Sequence, residues 1–216
     1  MQRSFISIGL CLITLLLTGC SPPASNAGAQ QTPRPRELPT NATPREKIIA
    51  AALEQTTYTL SYDPAYVKLD YPGGDIPIDR GVCADVIVRA FRKAGVDLQK
   101  DVHEDMKRDF GAYPRIWGAR APDPNIDHRR VANLMKYFTR KSWSLALSND
   151  TGGYVPGDVV AWDLGGGLLH IGLLTDEKSD SSGRYLVVHN IGSGAQLQDV
   201  LFSWKIIGHY RCFAVQ

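Results

Sequence analysis

An α+β fold, with N-terminal helices packed on a C-terminal antiparallel sheet, is predicted by three observations on the amino-acid sequence. Apolar residues recur at helical spacing only up to about residue 140. After it come short aliphatic and aromatic runs separated by Gly, Asp and Ser, the pattern of antiparallel strands. Helices grouped before strands indicate α+β rather than a parallel α/β sheet. The third observation is size. A chain of 216 residues, 44% hydrophobic and 21% charged, has globular composition and room for one domain with extras. Twenty-four basic against 22 acidic residues give a net charge of +2, so no nucleic-acid partner is expected from bulk electrostatics. Four cysteines are too few for a disulfide scaffold.

Residues 1–20 read as a bacterial export signal. Arg3 supplies the positive charge, and the apolar run from Phe5 to Leu17 is too short to span a membrane. The run ends in Leu17-Thr18-Gly19-Cys20, which resembles a lipobox and marks Cys20 for lipidation. Ser21 lacks the acidic signal that retains lipoproteins in the inner membrane. The expectation is a lipid-anchored protein of the cell envelope, held in the outer membrane and facing the periplasm. Residues 21–43 are rich in Pro, Ala, Ser, Asn, Gln and Thr, and read as a flexible tether. Residues 44–216 remain as the folded domain.

Within that domain, Thr43, Pro44 and Glu46 form a helix start, followed by the stripe Ile48, Ile49, Ala52 and Leu53. A turn-rich stretch leads to Gly81. A second helix is predicted over 83–94, with Val86, Ile87, Ala90 and Phe91 on one face and Gly95 stopping it. Helices over 98–110 and 127–140 follow, the latter with Val131, Leu134, Met135 and Phe138 inward. Strands are predicted at 143–147, 158–162, 170–175, 185–189 and 204–210.

Cys83 stands where a loop becomes a helix, so its sulfur faces unsatisfied amides and the positive end of the helix dipole, which favours a thiolate. His170 and His189 are each embedded in apolar strands, where an imidazole needs a partner. Neighbouring strands bring them within reach, one as base toward Cys83 and the other orienting its ring. The helix start Asp127-His128-Arg129-Arg130 reads as capped and solvated. None of the five histidines shows a tight ligand spacing, so no metal and no cofactor is expected.

Cys83 at a helix start, then Pro156-Gly157-Asp158-Val159-Val160, His170-Ile171-Gly172 and His189, resembles the NlpC-type papain-like cell-wall peptidases. The resemblance implies their fold and a Cys83–His170–His189 site. It also implies an active-site role for Tyr71, which with Gly73 and Gly74 resembles the family's tyrosine-glycine segment. The family's Asp-Cys-Ser-Gly is here Val82-Cys83-Ala84-Asp85, so Asp79 or Asp85 would take over binding of a stem peptide's free amine. Asp79-Arg80-Gly81-Val82-Cys83-Ala84-Asp85, Asn125 to Val131 and Gly208-His209-Tyr210 are similar to a bacterial domain-of-unknown-function family, number 1287, distantly grouped with those peptidases. The implied activity is cysteine hydrolysis of an amide bond in peptidoglycan peptides. A non-catalytic envelope binding module, or an acyl transferase on the same residues, are the alternatives.

Overall fold

The computed structural model describes residues 36–213. The expected signal and lipidation site, 1–20 with Cys20, lies outside the described residues, as does most of the tether. No helix among the described residues is long and apolar enough to cross a membrane.

Helix α1, Pro44–Tyr58, begins in the expected capping box: the Thr43 side chain accepts the Glu46 amide, and Glu46 returns the bond to the Thr43 amide at 2.7 Å. Two short strands, β1 at Ser61–Tyr62 and β2 at Arg80–Gly81, pair in parallel and lead into α2, Cys83–Lys93. Helix α3, Leu98–Arg108, is capped by Asp97. The predicted helix over 127–140 is split: Asp127–Arg129 form one 3-10 turn, Arg130 is extended, and α4 runs Val131–Arg140.

The sheet comprises β3 (Val159–Asp163), β4 (Leu169–Lys178), β5 (Tyr185–Asn190), β6 (Ala195–Gln198) and β7 (Lys205–Tyr210), in the antiparallel order β6-β5-β4-β3-β7. The α+β class is therefore observed, with four helices among the described residues. Two strand expectations are corrected. Residues 143–147 form no strand: they make a bridge from Ser144 to Tyr210, with the Leu145 amide on the His209 carbonyl and the Arg211 amide on the Trp143 carbonyl, and Leu145 and Leu147 are exposed. Strand β6 sits where the sequence reads as a loop. It follows Gly194 (φ +86°), where a Cβ would lie 2.4 Å from the Thr59 carbonyl that receives the Ala195 amide.

Both sheet faces are covered. Ile171 and Leu173 of β4 pack with Val159, Ala161 and Val188 against α1 and α2, among Ile48, Ala52, Ile87 and Phe91. The opposite face carries Val160, Trp162, Leu174 and Val187, closed by Tyr154, Val200 and Leu201. Each large apolar side chain so buried contributes roughly 1.5–3 kcal/mol. This second face also hides the aspartate of the Pro-Gly-Asp segment. Asp158 accepts His209 and Arg211 at 2.8 Å each, a paired and therefore tolerable buried charge.

Candidate active site

Cys83 occupies the first turn of α2 because the chain before it is tied down on three sides. Asp85 accepts the Val82 amide at 2.6 Å and forms a buried ion pair with Arg129 at 2.9 Å. Arg129 also donates to the carbonyls of Ala65 and Asp63, both at 2.8 Å. From the end of β5, Asn190 donates to the Gly81 carbonyl at 2.8 Å and to that of Ser61 at 3.2 Å. Loop, helix start and sheet are thereby joined around the thiol.

Cys83 is 5% exposed and lines a cleft of about 450 Å³. Tyr62, Tyr66, Ile116, Trp117 and Leu168 make much of the wall, and Arg130 enters from the start of α4. Trp117, 57% exposed and at φ +67°, lies under the Arg130 guanidinium at 4.5 Å. Arg130 makes no ion pair within 4 Å among the described residues, although its charge acts on the carboxyls of Asp123 and Asp127.

Burial pushes the Cys83 thiol up to about 12, against the opposing amide of Ile171 and those of Ala84 and Cys83 itself. Burial thus opposes the expected thiolate: losing water outweighs the amide hydrogen bonds to the sulfur and favours the neutral thiol at rest. The amide that points at the sulfur belongs to the peptide joining His170 to Ile171.

His170 and His189 do come together. His170 Nε2 lies 2.9 Å from His189 Nδ1, and His189 Nε2 lies 2.9 Å from Gln198 Oε1. Trp162 stacks on His170, and Trp204 meets both rings edge-on. Desolvation holds His170 down to about 3 and His189 down to about 4, so both are neutral at physiological pH. The expected thiol–imidazole bond, however, is not formed. His170 pairs with Trp162 on the sheet face turned from the helices, whereas Leu169 and Ile171 face the Cys83 side. Cys83 therefore meets β4 at the backbone beside His170. Nδ1 of His170 has no hydrogen-bond partner among the described residues.

None of the three residues expected to bind substrate lines the cleft. Tyr71 stands outside the cleft, with its hydroxyl on Glu104 at 2.9 Å; Tyr62 and Tyr66 supply the cleft's tyrosines. Asp79 is exposed and takes part through its carbonyl, which receives the Leu60 and Ser61 amides. Asp85 is fully engaged by Arg129 and Val82. Asp127, His128 and Arg129 are buried rather than solvated, with Asp127 pushed up to about 6 and His128 down to about 4 by desolvation. No group of three or more His, Cys, Asp or Glu among the described residues could hold a metal ion. Sequence reasoning missed Arg129, Arg130, Trp117, Asn190 and Gln198. The only signal was the double arginine after His128, and nothing local distinguishes it from a surface charge run.

The fold and site thus define a helix-on-sheet α+β domain whose buried cysteine opens onto an aromatic cleft. The chain belongs to the family described as Domain of unknown function (DUF1287), which it matches over residues 49–212. It is similar to "Uncharacterized protein YijF" of Escherichia coli (strain K12), with 52% identity over 166 residues, covering 77% of this chain and 80% of that protein. No solved structure matches the chain.

Proposed function

We propose that the chain is a lipid-anchored cysteine hydrolase of the cell envelope, of papain-like NlpC type, that opens an amide bond in peptidoglycan stem peptides. The observation that carries this reading is the seat of Cys83. A free thiol at a helix start lines an open cleft and sits one peptide from a neutral imidazole backed by a second imidazole and an amide. Neutral His170 is the form able to accept a proton. Sγ and the His170 ring lie on opposite faces of β4 in the described structure, so the reaction requires the His170 end of β4 to turn until Nδ1 meets Sγ. Sγ then attacks the carbonyl carbon while its proton passes to Nδ1. The proton leaves on the departing amine as the C–N bond breaks. Water, deprotonated by the same nitrogen, opens the thioester, and the proton returns to the thiol. Amides at the start of α2 face the developing oxyanion.

The expected result is that incubation of the full chain with purified peptidoglycan fragments gives products one water heavier in total, with a new amine and a new carboxylate by mass spectrometry. Unchanged fragments would overturn the reading. One observation favours a second reading, a non-catalytic module that binds the same peptides: the thiol is held protonated and free of the imidazole. Binding of the fragments without cleavage would establish it.

Arg130 supports a substrate carrying a free carboxylate, as stem peptides do. Among the described residues it makes no ion pair, whereas Arg129, the other arginine of the cleft, is paired with Asp85. Arg130→Ala is expected to raise KM for a peptide acid roughly tenfold, about one charge-assisted hydrogen bond, and to leave KM for the corresponding C-terminal amide nearly unchanged. Equal effects on both, read by steady-state kinetics, would place the carboxylate elsewhere.

A further inference from the structure

The proton order along the two buried imidazoles can be read from their far end. Oε1 of Gln198 has lone pairs and no proton, so His189 Nε2, at 2.9 Å, must carry the hydrogen of that bond. A neutral imidazole has one N–H. His189 Nδ1 is then an acceptor, and the hydrogen of the 2.9 Å bond between the rings belongs to His170 Nε2. By the same count His170 Nδ1 holds a lone pair. We infer that Gln198 is a positioning residue: acting through His189, its amide oxygen selects the His170 tautomer whose Nδ1 is the base nitrogen.

The surroundings leave this choice to Gln198. Trp162 and Trp204 enclose the rings, and Trp162 spends its only donor on the Leu201 carbonyl at 2.9 Å. Among the described residues no carboxylate or cation is hydrogen-bonded or ion-paired to either ring, whose bonds run to each other and to Gln198. Burial holding both rings neutral keeps one proton on each. Reversing the Gln198 amide would reverse every bond, protonate Nδ1 and remove the base. Gln198 stands at the end of β6, diagonal to His189, which the β5–β6 register places opposite Gln196. Strand β6 is thus given a purpose the sequence does not suggest.

The catalytic consequence rests on the hydrolase reading, whereas the tautomer does not. In the full chain labelled with ¹⁵N-histidine, long-range ¹H–¹⁵N spectra are expected to show His170 with Nε2 protonated and Nδ1 bare. Gln198→Leu should mix the two tautomers. Gln198→Glu, which keeps an acceptor oxygen, should preserve the original one and decides the matter if the leucine variant fails to fold. On peptidoglycan fragments, Gln198→Leu should lower kcat about tenfold, part of the 10²–10⁴ that a positioned base supplies, with KM unchanged. A protonated Nδ1 in the wild-type chain, or a Gln198→Leu spectrum identical to it, would overturn the inference. A mixed tautomer with unchanged kcat would overturn the positioning role. If the expected tautomer is present but no variant cleaves fragments, the hydrolase reading fails and the proton order stands.

Discussion

Cys83→Ala is expected to reduce hydrolysis of peptidoglycan fragments by at least about a thousandfold, because no other side chain in the cleft is a nucleophile of comparable strength. The wild-type thiol should nevertheless look inert to simple reagents. With its pKa pushed up to about 12, its thiolate fraction at neutral pH is about a thousandfold below that of an ordinary thiol. The sign is fixed by the direction of the shift. A raised acid pKa leaves the neutral thiol dominant, so iodoacetamide labelling should climb about tenfold per pH unit between pH 6 and 9 with no acidic plateau. A preformed thiolate–imidazolium pair would instead give fast labelling down to about pH 4. Cys212, also buried and also raised, should label slowly as well. Mass spectrometry of the two tryptic peptides separates them. Rapid labelling of Cys83 at pH 6 would show that the thiol is charged at rest.

Breaking the buried pair under the site should have the largest effect on stability. Asp85 and Arg129 are both almost wholly buried, and removing one leaves the other unpaired at a cost of about 3–5 kcal/mol. Asp85→Ala also removes the cap on the Val82 amide, worth about 1 kcal/mol more. For a domain of this size the melting temperature should fall by about 10 °C or more. The paired replacement Asp85→Leu with Arg129→Met removes both charges together and should melt above Asp85→Ala alone. Thermal unfolding followed by circular dichroism checks both. A loss below about 3 °C for Asp85→Ala would mean that water reaches the pair.

The fold was legible where one period dominated. The stripe Ile48–Leu53 lies in the buried part of α1, and Val86–Phe91 lies in an α2 that is buried all round from Cys83 to Phe91; both helices stand close to where periodicity placed them. It failed where local backbone overrode it: extended Arg130 divides the expected helix at 127–140, and polar Gln196 and Gln198 disguise β6. The site was half legible for a related reason. His170 and His189 stand out as polar residues in apolar strands, which rightly pairs them. Which face His170 takes was hidden, because both faces of β4 are buried and apolar residues fill odd and even positions alike. Asp85 and Arg129 lie 44 residues apart, and a single sequence carries no trace of such a pair.

His189 and Asn190 are consecutive, yet they serve opposite faces of the sheet: one completes the imidazole chain, and the other holds the turn leading to Cys83. Their spacing is set by one peptide unit. Variation in chain length is therefore unequally permitted. Residues 165–167 and 180–183 are exposed turns that can lengthen or shorten at small entropic expense. One residue inserted between His189 and Asn190 would send the following side chain to the wrong face, uncoupling the two halves of the site while leaving most of the hydrophobic core intact. Among members of this family, gaps should gather in those two turns and spare the His-Asn step.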